Sequence, residues 1–158
     1  MNVDNKLDLA IFWAICSHGG QKDKAGQPYI LHPLAVMFKV QALFLYPNVK
    51  EPPPGITVED LMIAAVLHDA IEDSDLTLQE IEATFGKVVR DILDGVTRRK
   101  GENYLKEFIP RAKAHPGARI VKTADLLHNM SRLHLLSKKD WQRLEKRYLP
   151  AEAILNDS

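Results

Sequence analysis

Prolines and glycines divide this chain into short segments, and the apolar residues within each segment follow helical spacing. Pro52, Pro53 and Pro54 stand in a row, so the stretch around them must be a surface connection rather than a helix. The Gly19-Gly20 pair and the His115-Pro116 pair predict two further breaks. No segment alternates apolar and polar residues convincingly, as a strand would. The sequence therefore predicts an all-α bundle of roughly six to eight helices.

Capping signals place two of the helix starts. Thr57 followed by Asp60, and Thr77 followed by Glu80, have the spacing of capping boxes, in which each side chain bonds the other residue's backbone amide. The first pair predicts a single helix from Val58 to about Asp73. The second pair predicts a short helix that a glycine ends after Phe85.

Prolines and a serine indicate the remaining boundaries. Pro33 fits the first turn of a helix running to about Tyr46. A helix is expected from about Tyr104 to Ala114, and another through the segment IVKTADLLHNMSRL. Ser137 is expected to cap the last helix, which Pro150 should kink or end.

Length and charge limit the possible functions. With 158 residues, of which 46% are hydrophobic, residues 1–158 are expected to form one domain with its own core. Twenty-one basic and 21 acidic residues balance, which argues against a general nucleic-acid or membrane-surface binder. The first residues lack the features of a signal peptide, and no apolar run approaches the roughly 20 residues of a membrane span. A cytoplasmic location is therefore expected.

The segment LHDAIEDSD, residues 67–75, places ionisable side chains among aliphatic ones. His68 and Asp69 are adjacent, and Glu72 and Asp73 follow four residues later, on the same faces of a helix. Carboxylates in a core are costly unless they are paired, hydrogen-bonded or bound to a metal. The segment therefore predicts a divalent cation with imidazole and carboxylate ligands, such as manganese, iron, cobalt or zinc.

Two more candidate ligands lie elsewhere in the chain. His32, in YILHP, stands at a loop-to-helix junction, and Asp125, in KTADLLHN, interrupts an apolar helical segment. Together with His68 and Asp69 they would supply two imidazoles and two carboxylates. Such a set leaves coordination positions for water and for a substrate oxygen, which is what metal-assisted hydrolysis requires.

The order H, HD, D of these ligands resembles the HD-domain metal phosphohydrolases. The flanking segments HGGQKDKAGQPYILHP, AAVLHDAIEDSDLTLQEIEATFG, DILDGVT and VKTADLLHNM are more specific. In this order they resemble the hydrolase domain of the RelA/SpoT proteins and, as the closer analogue, the stand-alone small alarmone hydrolases. The match spans about residues 10–135. It implies an HD-domain helical bundle and a manganese-dependent cleavage of the 3′-pyrophosphate of guanosine tetra- or pentaphosphate, yielding GDP or GTP and pyrophosphate.

The resemblance also implies roles for individual residues. Glu72 and Asp73 match residues that act beside the metal, in acid/base work and in placing the attacking water. Lys24 matches a lysine near the nucleotide, and Asn129 matches the asparagine of the family's HN pair. Beside these, Lys100, Arg98 and Lys122 are phosphate candidates, because a few cations around one cleft supply the local positive field that a polyphosphate needs.

Three positions depart from the family pattern and leave the nucleotide open. Asp23 stands where the family has arginine, and Leu126 and Ser131 stand where it has basic residues, with Arg132 displaced by one position. An aspartate repels phosphate and can accept a hydrogen bond from an amino group. The alternatives are therefore an HD-type phosphatase for an adenosine alarmone, NADPH or a deoxynucleotide, or a nucleotide-sensing module without catalysis. His128 is expected to be a hydrogen-bonded core residue.

Overall fold

The computed structural model describes residues 5–45 and 51–157, and these ranges are helical apart from their loops and one isolated bridge between Lys22 and Pro28. A π-helical turn over Tyr104–Phe108 and a 3₁₀ turn over Leu133–Leu135 accompany the α-helices. The predicted all-α class is confirmed, whereas the helix end predicted at Tyr46 lies outside the described residues. The α-helices are α1 Lys6–Ser17, α2 Leu31–Phe44, α3 Val58–Leu67, α4 Ala70–Asp73, α5 Leu78–Phe85, α6 Lys87–Val96, α7 Ile109–Ala114, α8 Pro116–Ser131 and α9 Lys138–Asn156.

Both predicted capping boxes are present. Asp60 N donates to Thr57 Oγ1 at 3.0 Å, and Thr57 N donates to Asp60 Oδ2 at 2.9 Å. Thr77 and Glu80 make the same two bonds at the start of α5. Each box satisfies backbone amides that the first helical turn leaves free, so these starts are fixed locally.

The predicted continuous helix from Val58 to Asp73 is wrong. Helix α3 ends at Leu67, a two-residue turn follows at His68 and Asp69, and α4 adds a single turn. The His68 ring donates from Nδ1 to the Ala65 carbonyl at 2.8 Å. That neighbouring carbonyl is the one that the Asp69 amide would use in an unbroken helix, so the imidazole competes with the helical bond.

Proline accounts for a second correction. The segment predicted as one helix up to Ala114 begins instead as the π-helical turn, in which Phe108 N donates to Asn103 O, five residues back. Pro110 has no amide hydrogen to continue the normal pattern. In α9, by contrast, the helix runs through Pro150, so the predicted alternative of an end there is wrong.

Helix α3 lies at the centre of the core. Its residues 61–67 are all buried, and it packs against α1, α2, α6 and α8. Helices α6 and α8 approach closely at Gly95, where a Cβ would lie 2.5 Å from Ala118 Cβ, so a glycine is needed inside that helix. A smaller cluster that includes Phe108, Leu126 and Ala151 holds α9 against α7 and α8. Among the described residues no helix is both long and apolar enough to cross a membrane.

Candidate metal and substrate site

The four predicted metal ligands lie together. His32 comes from the first turn of α2, His68 and Asp69 from the turn after α3, and Asp125 from α8. The two imidazole Nε2 atoms are 3.2 Å apart. Asp69 Oδ2 lies 3.1 Å from His68 Nε2, and Asp125 Oδ1 lies 3.1 Å from His32 Nε2. Ligand atoms of His32, His68 and Asp125 all lie within 4.8 Å of one another, and Asp69 Oδ2 is 3.6 Å from His32 Nε2.

Hydrogen bonds aim the histidine nitrogens at this point. Because a carbonyl only accepts, the bond from His68 to Ala65 O places the proton on Nδ1 and leaves Nε2 with a lone pair in the neutral ring. His32 Nδ1 lies 2.7 Å from Nδ1 of His128. Burial, and then the charge of His32, lower the pKa of His128 to about 4, so its ring is neutral at pH 7 and can accept that bond. Once both rings are neutral, as a bound cation would require, two Nε2 lone pairs and two carboxylates converge, and this donor set suits a divalent cation.

The two carboxylates also accept hydrogen bonds from other side chains. The Tyr29 hydroxyl donates to Asp69 Oδ2 at 2.6 Å. Lys122 Nζ donates to Asp125 Oδ2 at 2.7 Å, and Asn129 Nδ2 donates to Asp125 Oδ1 at 2.6 Å. Such contacts orient a ligand before an ion arrives. Asn129, predicted from the resemblance to hold substrate, therefore also contacts a candidate metal ligand.

The charges in this cluster depend on one another. Burial opposes ionisation of Asp69, but the charge and the hydrogen bond of His68, together with the charge of His32, outweigh burial and lower the carboxyl pKa. Burial likewise opposes protonation of His68, yet Asp69 and Asp125 raise the pKa of the ring. Burial also opposes ionisation of Asp125, but the charge of Lys122 and the hydrogen bonds of His32 and His68 together lower its pKa. The carboxylates are therefore ionised at neutral pH and attract cations strongly.

Glu72 and Asp73 point in different directions. Glu72 lines the cavity beside the four candidate ligands, and its Oε1 accepts from Arg98 N at 2.7 Å. Burial, together with the charge of Asp69, raises the Glu72 pKa despite that bond. Asp73 is not among the residues that line the cavity, and its Oδ2 lies 3.7 Å from His18 Nδ1. The prediction that both side chains face one cleft holds for Glu72 alone.

The cavity next to the cluster has a volume of about 470 Å³, a size typical of small-molecule sites. The predicted residues Lys24, Asn129, Arg98 and Lys122 line it, whereas Lys100 is exposed and is not part of the lining. The basic residues on its wall are Lys22, Lys24, Arg98, Lys122, Arg132 and Arg147. A neutral protein thus concentrates cations around one concave surface, as a polyphosphate ligand requires.

The three departures from the family pattern have distinct surroundings. Asp23 Oδ2 accepts from Arg132 Nη2 at 2.5 Å across the cavity wall, and its Oδ1 accepts from the amides of Ala25 and Gln27. Leu126 is buried in the smaller core cluster. Ser131 is exposed and donates to the His128 carbonyl. The acidic residue at position 23 is therefore neutralised by the displaced arginine.

Sequence reasoning missed several residues of the site. Tyr29 and His128 contact the candidate ligands, whereas the sequence patterns do not identify Tyr29 and predict a core role for His128. The spacing of His128 contained a signal, because it follows Asp125 by three positions, which is one turn of α8. Tyr29 lies in the turn before α2, where helical spacing gives no such signal.

Comparison with known proteins places this geometry in context. Residues 10–149 match the HD-domain family. The guanosine-3′,5′-bis(diphosphate) 3′-pyrophosphohydrolase of Aquifex aeolicus is 34% identical over 158 aligned residues, which cover 95% of this chain and 21% of that protein. The zebrafish guanosine-3′,5′-bis(diphosphate) 3′-pyrophosphohydrolase MESH1 is 33% identical over 142 residues, which cover 85% of this chain and 72% of the zebrafish protein. The chain thus spans about a fifth of the bacterial relative and most of the zebrafish one.

The fold has a counterpart among solved structures. A metazoan SpoT ortholog, described as hydrolysing ppGpp and acting in starvation responses, superposes with a TM-score of 0.78 at 22% sequence identity. The superposition covers 99% of this chain and 88% of that one. The helical architecture is therefore shared over nearly the whole chain.

Proposed function

The chain belongs to the HD-domain family and groups there with the RelA/SpoT-type hydrolase domains, and from this premise we propose that it hydrolyses the 3′-pyrophosphate of (p)ppGpp-type alarmones. The observation that carries the proposal is the convergence of two imidazole nitrogens and two carboxylates beside a cation-lined cavity that also contains Glu72. The names of the bacterial and zebrafish relatives support the same activity.

We propose that His32, His68, Asp69 and Asp125 hold the metal, with manganese as the first expectation and zinc, cobalt or iron as the alternatives. A divalent ion at this position would lower the pKa of water and polarise a phosphoryl oxygen. The chain prepares the site by orienting the His68 ring through its bond to the Ala65 carbonyl and by holding both carboxylates ionised.

Glu72 is the proposed acid/base group. Hydrolysis adds water across the bond between the 3′-oxygen and phosphorus, so one proton leaves the water and one reaches the 3′-oxygen. Glu72 lines the cavity beside the metal ligands, and its raised pKa strengthens the ionised carboxylate as a base. Asp73, which faces His18, is proposed to support the site from beside the cavity.

Substrate binding is proposed to use the cations of the wall. Lys24 is exposed at the cavity and free to reach a nucleotide, and Asn129 has a second amide hydrogen beyond the one it gives to Asp125. Lys122 Nζ contacts the carboxylate cluster through Asp125. Arg98 also lines the cavity, and it bonds Glu72 through its backbone amide. These cations would offset the negative charge of the leaving pyrophosphate.

The test is incubation of the purified protein with manganese and guanosine tetraphosphate, followed by chromatography of the products. Equal amounts of GDP and pyrophosphate are expected. A parallel panel containing the adenosine alarmone, NADPH and deoxynucleotides measures which base and phosphate pattern the Asp23–Arg132 pair permits. Absence of turnover with every 3′-pyrophosphorylated nucleotide would refute the proposal, and tight binding without turnover would favour a nucleotide sensor.

The remaining expectations from the sequence stay predictions. They are a single domain over residues 1–158, a cytoplasmic location, and a small nucleotide polyphosphate as partner rather than nucleic acid or a membrane.

A further inference from the structure

We propose that Arg147, stacked on Tyr104, forms a second anion subsite that binds the 5′-phosphates of the nucleotide. The inference rests on the proposed function, which accounts for the 3′-pyrophosphate and leaves the other end of the substrate unassigned. Arg147 lies on α9, after the last of the quoted motif segments and within the residues 10–149 that match the HD-domain family.

The guanidinium is held in one orientation by an aromatic ring. Arg147 Cζ lies 3.7 Å from the centroid of the Tyr104 ring, and both residues line the cavity. Stacking of this kind fixes the plane of the guanidinium while leaving its edge free to donate. Its Nε atom is buried and has no hydrogen-bond partner among the described residues. A buried donor without a partner is costly, so an acceptor supplied by a ligand would satisfy it.

Arg147 also differs in charge compensation from Lys122 and Arg132, two other cations of the wall. Lys122 pairs with Asp125, and Arg132 pairs with Asp23. Arg98 donates to the Glu102 carbonyl. Within residues 5–45 and 51–157, Arg147 has no carboxylate within 4.0 Å. Its charge is therefore available to an anionic ligand, and a planar guanidinium suits phosphate because it can donate two parallel hydrogen bonds.

The Tyr104 ring lies against two cations of the cavity wall. Lys122 Nζ is bonded to the candidate ligand Asp125 and lies 5.9 Å from the Tyr104 ring centroid. Arg147 contacts the same ring, and of these two cations only Lys122 is bonded to a candidate metal ligand. A nucleotide with phosphates on both its 3′ and 5′ oxygens carries two anionic groups separated by a ribose. The two cations around the ring match that pattern.

Two substrates separate the subsite from the reaction centre: guanosine tetraphosphate, and the matching guanosine 3′-diphosphate with a free 5′-hydroxyl. Arg147→Ala is expected to raise the KM for the tetraphosphate about tenfold to hundredfold, the range for losing charged hydrogen bonds. The KM for the 5′-hydroxyl compound should not change. Arg147→Lys keeps the charge without the planar face and should lie between wild type and Arg147→Ala.

Arg143→Ala is the matched control. Arg143 lies one turn earlier on α9, is exposed, and pairs at the surface with Asp140 at 3.0 Å. Its removal should leave both KM values and the melting temperature unchanged. If Arg147→Ala unfolds, the comparison between wild type and Arg147→Lys on the two substrates takes its place.

Each outcome decides the inference. If Arg147→Ala raised the KM equally for both substrates, or left both unchanged, the inference would be overturned. The contact of Arg147 with Tyr104 would then only pack the cavity wall. If the wild-type protein hydrolyses neither compound, the proposed function fails separately, and calorimetric binding of the same two compounds decides the subsite. A preference of wild type for the 5′-phosphorylated compound that Arg147→Ala removes would support the inference, and equal affinities would contradict it.

Discussion

Replacing Glu72 by glutamine tests the proposed acid/base group with little disturbance of the structure. The amide side chain has the same shape and keeps an oxygen that can accept from Arg98 N, the bond that Glu72 Oε1 makes at 2.7 Å. It cannot take a proton from water. The raised pKa of Glu72 means that the protein penalises its ionised form, a penalty that grows as pH rises through the folded-state pKa. At neutral pH the variant should therefore be as stable as wild type or slightly more stable.

The expected loss is in rate. General acid/base groups contribute about 10²- to 10⁴-fold, which corresponds to about 3–5 kcal/mol of activation free energy. Initial rates of GDP release should fall by that factor while the bound manganese, measured by elemental analysis, stays the same. In wild type, kcat/KM should fall on the acidic side with a midpoint above the ordinary glutamate value of 4.5, because Glu72 acts as a base only when ionised. In Glu72→Gln, this acidic fall in kcat/KM with pH should be absent.

Glu82→Gln provides the control, because Glu82 pairs with Arg90 on the surface away from the cavity. Its rate and stability should match wild type, as exposed ion pairs contribute little. If Glu72→Gln retained wild-type kcat with a full complement of metal, the side chain would serve only to hold the backbone at Arg98. The acid/base assignment would then be refuted.

Three further predictions concern the metal, the core and the nucleotide end of the cavity. Asp69→Asn should lose manganese affinity and activity together, measured by calorimetry and GDP release, and retention of both would show that it is no ligand. Gly95→Ala should destabilise the protein by about 1–3 kcal/mol, because the added methyl group would lie 2.5 Å from the Ala118 methyl group. Thermal unfolding should show a melting temperature lower by about 2–4 °C for each kcal/mol. An unchanged melting temperature would refute the close packing of the two helices. Asp23→Asn should remove the negative charge opposite Arg132 while keeping the bonds that the Oδ1 atom accepts from the backbone. Because the charge of Arg132 is then available to phosphate, the KM for phosphate-rich nucleotides should fall and depend more steeply on salt concentration. An unchanged KM would contradict this prediction.

Features that depend on a few neighbouring residues could be predicted from the sequence. Both capping boxes form because the partners are three residues apart and need no tertiary contact. The turn at His68 and Asp69 was missed because helical periodicity alone does not reveal that an imidazole takes the Ala65 carbonyl. This error had a consequence for the site. Spacing along an unbroken helix predicts that Glu72 and Asp73 both face the metal site, whereas Asp73 faces His18 in the structure.

Features that depend on contacts between distant segments were harder to predict from the sequence. The grouping of His32, His68, Asp69 and Asp125 was predicted from residue chemistry and family order, and the structure brings them together. The participation of α9 could not be predicted, because its position depends on how Ala151 and Leu155 pack against Phe108 and Leu126. No local pattern around Arg147 specifies that it meets Tyr104. Tertiary packing alone assembles that part of the cavity.

The central claim is that four side chains from three parts of the chain hold one divalent ion. Anomalous diffraction from crystals grown with manganese tests it directly. One strong peak is expected at about 2.0–2.3 Å from Nε2 of His32, Nε2 of His68 and carboxylate oxygens of Asp69 and Asp125. If crystals grown with saturating manganese showed no peak among these atoms, or a peak only elsewhere on the cavity wall, the four-ligand assignment would be contradicted.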